Sequence, residues 1–434
     1  MTENRCGWIV QAGDCPVQPS LRGTERADWL IIGGGFTGLS AAHSLAEMHP
    51  NARIVLVDRQ RAAQGASARN SGFVVAHENP SGEELLGRSG HDYYRQSTEI
   101  SRAANNEVRR RLEQLGIDCD WREDGYFFAV HDADKLEEAE LRVQTLQAVG
   151  ANAQFLQGRA LASQLGSEFY RAGIHCGGGN ALLQPAKYAK GLREMLPAAV
   201  SLFEQTEVSG LERLANGSIR ARSPHGCVEA TQVLVCVGPF MPRVGLQDRA
   251  VFPLELSASL TRPLTDVEYQ QMGSPAPWGV LSTRPAGATL RLTNDRRLLI
   301  RNTVEYRRSD LNADALKVRR HTHVRGLQRR FPWLTEQHLQ FTWTGHLSAT
   351  RSGEPRFARV APGIHAVAGC NGSGVARGTL WGRLLAEMAS GSQSPLLSQV
   401  LSQAEPGWLP PSPFFDIGAS LRLRYEACRA QTES

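Results

Sequence analysis

The chain has 434 residues, 41% of them hydrophobic and 21% charged, and a formal net charge of +5; it exceeds the size at which one core stops growing, so two domains are expected. No apolar run reaches the roughly 18 residues of a membrane helix, and near the N-terminus only Trp8-Ile9-Val10 is continuously apolar, too short for a signal peptide, so a cytoplasmic location is expected. The basic residues are scattered rather than interleaved with aromatics, which argues against a nucleic-acid partner; the patch Arg109-Arg110-Arg111, flanked by Glu107 and Glu113, reads as a solvated helix face.

In chain order, residues 1–27 have no clear period and read as a surface lead-in. A buried strand is expected over 27–32, then the turn Gly33-Gly34-Gly35-Phe36-Thr37-Gly38, a helix over 39–48 and a second buried strand over 53–58 ending in Asp58. A loop of small residues follows over 65–72, and then a long helix over 91–115. Next come a strand over 125–130, helices over 133–149 and 185–196, and strands over 200–203, 218–223 and 232–237, the last ending at Gly238. Strand-like segments dominate 251–304, including 298–302. A last strand–glycine turn–helix runs over 363–389 through Asn371-Gly372-Ser373-Gly374, and the tail beyond Pro395 reads as a surface wrap.

The order strand, glycine turn, helix, strand, acid is a complete dinucleotide-binding βαβ unit. Gly33 and Gly35 let a pyrophosphate approach the backbone, the helix N-terminus behind Phe36 and Thr37 directs N–H groups at it, and Gly38 permits tight helix–strand packing. Asp58, 25 residues after Gly33, is placed to accept ribose hydroxyls. Three features select FAD over a nicotinamide nucleotide. Ala66, Ser67, Arg69, Asn70, Ser71 and Gly72 form a second small-residue loop with one cation, suited to a second set of phosphates and a ring. The strand ending at Gly238 offers another close backbone approach. The chain also returns with the Gly372 turn, which a large, permanently held flavin requires.

The eight cysteines show no CxxC pair, and His175-Cys176 has no partner pair at metal spacing. No metal site is expected, and the thiols read as reduced, mostly buried small hydrophobes. Cys370, beside the second glycine turn, is more readily a packing residue than a covalent flavin link.

The stretches Leu30–Leu45, Gln64–Gly72, Gln184–Leu192, Trp343–Pro355 and Gly369–Ala386 resemble the flavoprotein oxidases of the D-amino-acid oxidase superfamily. Within it they resemble the γ-glutamylputrescine oxidase branch and, more distantly, glycine and sarcosine oxidases. The resemblance implies an α/β fold: a Rossmann-like FAD domain over 28–80, 183–245 and 345–400, interleaved with a mixed or antiparallel-sheet substrate domain over 81–182 and 246–344. Residues 1–27 and 401–434 are then surface extensions. It further implies that Arg59 joins Asp58 at the adenosine ribose, that Val208 meets the adenine, and that Gly372, Ser373, Gly374 and Val375 lie at the pyrimidine side of the flavin. Amides of the helix starting there would stabilise charge on the reduced ring.

Departures from the family pattern bear on the substrate. Leu347 stands where amino-acid-oxidising members carry a carboxylate-gripping Arg after W-x-G, Gly372 stands where some carry another, and Ser352 replaces the usual acid. Losing a bidentate clamp changes the substrate class, so the expected substrate is a small-molecule amine without an adjacent carboxylate. Its C–N bond is oxidised by hydride transfer to flavin N5, the imine hydrolyses, and O2 takes the electrons. Relatives place a Lys near the flavin for oxygen; here lysines occur only at 135, 187, 190 and 317. A dehydrogenase with another acceptor is therefore the alternative, as is a flavin-binding subunit without turnover. Val74, His77, Arg301 and His346 are candidate site-lining residues, and Arg351 is a candidate for a distant carboxylate.

Overall fold

The computed structural model describes residues 4–77, Pro80, Leu85 and 92–433. Two eight-stranded sheets organise it. In the first, Gly23–Ile32 pairs in parallel with Ile54–Val57 on one side and Gly226–Val235 on the other. Val200–Phe203 and Ile364–Ala368 extend the parallel sheet at its two ends. Helices Phe36–Met48 and Gly374–Ala389 lie on one face and share a core with it, built from Ile31, Leu39, Leu45, Leu56, Leu380 and Leu384 among others. The strands buried on both faces read as continuous apolar runs, as a parallel sheet requires.

The second sheet has the order Leu339–Thr350, Val251–Thr261, Leu298–Tyr306, Thr289–Leu292, Trp278–Ser282, Tyr126–Val130, Ala172–Cys176, Ala153–Gln157. Its pairings are antiparallel except Trp278–Ser282 with Tyr126–Val130. Helix Ala313–Arg330 covers one face through Leu327 and its neighbours. That helix buries His323 completely, with its ring nitrogens on Ser259 Oγ at 2.8 Å and Ser257 Oγ at 3.2 Å.

Burial pushes the His323 pKa down to about 3, whereas the unfolded chain protonates it near the ordinary value of about 6.5. The unfolded state therefore binds more protons between these values. The contribution to stability is complete above about pH 6.5 and is lost as the pH falls, by about 1.4 kcal/mol per unit. Thermal melts should shift downward from pH 7 to pH 5. His323→Gln should flatten that slope; an unchanged slope would count against this histidine as the source.

Four sequence expectations need correction. The lead-in is not merely a surface segment: Gly7–Ala12 is a helix whose Trp8 is 2% exposed and stands edge-on to Trp343, and Leu21 is buried. A lone aromatic in an aperiodic segment gave no local signal of that docking. The first strand begins at Gly23 rather than 27. Its early half is exposed or half-buried and pairs with Gly226–Glu229, a match that lies outside the local pattern. The tail carries helices Pro395–Leu401 and Phe414–Arg429 and buries Glu433. Finally, Arg111 is not solvated: it is wholly buried, donating to Ser44 Oγ at 2.6 Å and paired with Glu47 and Glu107. The partner helix that supplies Ser44 and Glu47 cannot be inferred from the charge run itself.

Candidate active site and cofactor cavity

The glycine turn follows Ile32 directly. Gly33 takes φ +105°, a conformation that side chains rarely adopt. Asp58 locks this turn from the end of the neighbouring strand: Gly34 N–H donates to Oδ2 and Gln60 N–H donates to Oδ1, each at 2.7 Å. Burial raises the Asp58 pKa, and the two backbone donors oppose that rise. The sequence indicated the acid but not this bracing role. Gly38 lies behind the turn, where a methyl group would stand 1.8 Å from the Gly33 carbonyl oxygen.

The 65–72 segment is a loop only in part, because Ala66–Arg69 forms a single helical turn. Its side chains organise backbone. Ser67 Oγ accepts from Phe36 N–H at 2.8 Å, and Asn70 bridges Ser67 O and Gly72 N–H at 2.7 and 2.8 Å. Arg69 donates to the carbonyls of Gln64 and Thr344 at 3.0 and 3.2 Å, and Trp343 Nε1 donates to Arg69 O at 3.0 Å. This knot joins the first sheet's loops to the Leu339–Thr350 strand.

The second glycine turn is stitched to the same strand. Gly369 N–H donates to Ser348 Oγ at 2.9 Å, Asn371 N–H to Ser348 O at 3.0 Å, and Thr350 N–H to Asn371 Oδ1 at 2.8 Å. Gly372 then turns at φ +100° into helix Gly374–Ala389, whose N-cap Ser373 makes no side-chain capping bond. Helix Phe36–Met48 starts at Gly35, which has no side chain to cap it, and Ser67 Oγ takes only the Phe36 N–H. Both N-termini therefore keep backbone donors available for an anion.

Both turns open on one cavity of about 1260 Å³, more than a single small-molecule site needs. Its wall includes Gly33, Gly35, Phe36, Thr37, Asp58 and Arg59 from the first turn and its acid. The 65–72 loop contributes Ala66, Ser67, Arg69, Asn70, Ser71 and Gly72, joined by Val208 and Gly238. Gly372, Ser373, Gly374 and Val375 complete the cofactor side. Gly38 is not on the wall; it packs behind it. The uncapped helix ends, the close backbone approach at the glycines and the cavity's size together fit a dinucleotide carrying a large ring.

Of the substrate-side candidates, His77, Arg301 and His346 face the cavity. His77 is held on both sides, by Arg102 at 3.0 Å and Asn180 at 3.3 Å. Burial and the Arg102 charge bring its pKa down to about 4, so it stands neutral at physiological pH. His346 packs edge-on to Phe240, and desolvation lowers its pKa. Its Nε2 is 3.6 Å from Asp310, and with Glu255 these residues place three ligand-type atoms within 4.8 Å of one another. Arg307 already offers Glu255 a countercharge at 3.5 Å. Val74 is buried beneath the wall rather than on it. The structure does not bring Arg351 to the cavity; its side chain is exposed beside Gly407. Arginine type and motif proximity suggested Arg351, but the chain bends over 351–353 just past the Leu339–Thr350 strand and leaves it exposed.

Sequence reasoning missed the chamber's own walls. Tyr126, Phe128, Leu256 and Leu281 line it from the second sheet, and nothing local distinguishes them from core residues. All eight cysteines are free; Cys6, Cys119, Cys176 and Cys236 are buried and Cys428 is exposed. Cys370 touches the cavity, where desolvation raises its thiol pKa and disfavours the reactive thiolate. None of the four lysines lies on the wall: Lys187 pairs with Asp120 at 2.7 Å and Lys190 donates to Ala12 O at 2.8 Å. Among the described residues no helix is long and apolar enough to cross a membrane.

A parallel sheet presenting two glycine turns, joined to a broad sheet that roofs the same cavity, defines a flavin-dependent oxidoreductase fold. Residues 28–388 match the family model for the DAO, FAD dependent oxidoreductases, and the chain belongs to that family, with FAD as its cofactor. It is similar to probable oxidoreductase OrdL of Haemophilus influenzae, 25% identical over 87% of this chain and 86% of the relative. It is also similar to γ-glutamylputrescine oxidoreductase of Escherichia coli, 26% identical over 86% and 85%. Glycine oxidase from Geobacillus kaustophilus shares the fold, with a TM-score of 0.71 at 19% identity, covering 88% of this chain and 100% of that one.

Proposed function

We propose that this enzyme oxidises the C–N bond of a primary or secondary amine by hydride transfer, releasing an imine that hydrolyses, with O2 as the final acceptor. The observation that carries this reading is the continuity of the FAD cavity with an apolar chamber in which Leu347 stands where a carboxylate clamp would be. A glycine-type substrate, gripped by a carboxylate next to its nitrogen, finds no cation at Leu347. Bound FAD supplies the hydride acceptor. Gly33, Gly35, Ser67, Asn70 and the Gly372–Val375 turn hold it, and Tyr126, Phe128 and Leu281 exclude water and orient the amine.

The reacting amine must be neutral, and neither His77 nor His346 is set to carry a proton near pH 7. The wall therefore needs no strong base. The rate of flavin bleaching by an amine under anaerobic conditions should rise with pH as the substrate's own ammonium group deprotonates. His77→Asn should leave that profile in place; a displaced profile would make His77 a participant. A panel of amines mixed anaerobically with the enzyme tests the reaction itself, and failure of every amine to bleach the flavin would refute it.

A dehydrogenase passing electrons to another acceptor is favoured by one observation: no lysine lines the cavity. Peroxide formed in air, one equivalent per amine consumed, supports the oxidase; amine reduction without peroxide supports the dehydrogenase.

A further inference from the structure

The face of the second sheet that roofs the chamber carries a charged residue the C–N chemistry does not use. Strand Leu298–Tyr306 alternates: Ile300 turns to the core under helix Ala313–Arg330, whereas Leu299 and Arg301 turn to the opposite side. Arg301 therefore enters the cavity from its roof. Its guanidinium is heavily desolvated, and the residue lines the cavity.

Two contacts fix its plane. Nη1 donates to Gly287 O at 3.1 Å, and Nη2 donates to Thr289 Oγ1 on the adjacent strand. Both acceptors are neutral, and they use two of five N–H donors. Arg142 and Arg284, on the same side of the chamber, are ion-paired, to Glu138 and to Asp132 and Asp134 respectively. Among the described residues Arg301 has no ion-paired carboxylate. Glu433 acts on it only at longer range, from behind Gly287. Burial brings the Arg301 pKa down to about 10, the mark of a cation short of compensation that still remains charged.

A planar, oriented fork with free donors on the wall of the chamber matches a carboxylate. Its strand is two places in from Leu339–Thr350, which carries Leu347. At the usual spacings that is roughly 10 Å across the sheet, and the register, which sets Leu347 opposite Leu254 and Leu254 opposite Tyr306, adds five residues, roughly 16 Å, along the strands. We propose that Arg301 is the carboxylate anchor of this chamber and that the substrate is an amine bearing its carboxylate several bonds from the oxidised nitrogen. Leu256, on the intervening strand Val251–Thr261, lies along the path that the intervening methylenes would follow. This deepens the amine-oxidation reading and rests on it for the chemistry, though not for the anchor.

The test uses FAD-loaded enzyme in two arms. In the binding arm, hexanoate is titrated while the flavin absorbance is followed, with hexanol as the uncharged control. Wild type should bind hexanoate, and Arg301→Met should weaken it by about tenfold or more, leaving hexanol unchanged. In the reaction arm, 6-aminohexanoate should bleach the flavin at least about tenfold more efficiently than hexylamine, a preference that Arg301→Met abolishes. Should Arg301→Met lose its FAD, Arg301→Lys and Thr289→Val replace it. The first keeps the charge without the fork and the second releases the fork, and both should weaken hexanoate.

Equal hexanoate affinity in wild type and variants overturns the anchor whether or not any amine reacts. Bleaching by amines without preference for the carboxylate overturns it while amine oxidation stands. Arg301-dependent hexanoate binding with no reacting amine upholds the anchor and defeats the amine-oxidation reading instead.

Discussion

Gly38→Ala should yield protein that purifies with less than about a tenth of its normal flavin. The added methyl would lie 1.8 Å from the Gly33 carbonyl oxygen and 3.2 Å from Ile31 Cγ2. The first contact is with backbone, so no side-chain rotation relieves it. Either helix Phe36–Met48 moves off the sheet or the Gly33 turn opens. Overpacking of this kind costs about 1–3 kcal/mol or more, which at about 1.4 kcal/mol per decade is roughly fivefold to over a hundredfold in FAD affinity if the strain falls on the bound form. The turn also depends on the Asp58 braces, so a shift of Gly33 and Gly34 would break them. The ratio of flavin to protein absorbance measures the effect. Gly210→Ala is the control, because a methyl there meets nothing within 4 Å. Full flavin content in Gly38→Ala would show that the turn tolerates displacement and that cofactor retention lies elsewhere.

Arg291→Met should lower the melting temperature and weaken FAD together. Arg291 is 5% exposed on the short Thr289–Leu292 strand. Its Nη1 donates to Ser71 O at 2.8 Å and Leu183 O at 2.6 Å, and its guanidinium lies 5.4 Å from the Trp8 ring centre. One side chain thus clamps the cofactor loop, the segment before helix Pro185–Glu194, the N-terminal helix and the second sheet. Burial brings its pKa down to about 10, so the charge itself costs stability, and removing it returns part of that. The buried Leu183 carbonyl would then lack a donor, at about 1–3 kcal/mol, and the part-buried Ser71 carbonyl would lose one at smaller cost. Methionine fills the volume without donating. We expect the unsatisfied carbonyls to outweigh the relief by about 2 kcal/mol. Ser71 and Gly72 line the cavity, so a loosened loop releases flavin. Calorimetry of the holoenzyme and an FAD titration would check both effects; a variant unchanged in both would mean the loop is held without this clamp.

The parts of the site legible in sequence are those in which one short segment carries its own chemistry. The Gly33 turn, Asp58, the Ser67–Gly72 loop and the Gly372 turn were recognisable because strand, turn and helix succeed one another within a few residues. All but Gly34, Gly38 and Ala68 of these residues reach the cavity wall. The large-scale register was less legible. Arg351 and Arg301 are both arginines in strand-rich surroundings, but Arg301 sits within a paired strand that faces the chamber, whereas Arg351 falls in the bend past a strand's end and is exposed.

By itself, then, the amino-acid order determined the dinucleotide turns, the family and that Leu347 follows the Trp343-Thr344-Gly345 motif, since each is a property of contiguous residues. Tertiary structure alone decided that Trp8 and Glu433 are buried, that Arg111 is an interior cation, and that Tyr126, Phe128 and Arg301 share one chamber. Those outcomes depend on pairing segments that lie as far as 335 residues apart, as Trp8 and Trp343 do, and local periodicity holds no record of which partner a buried face will meet.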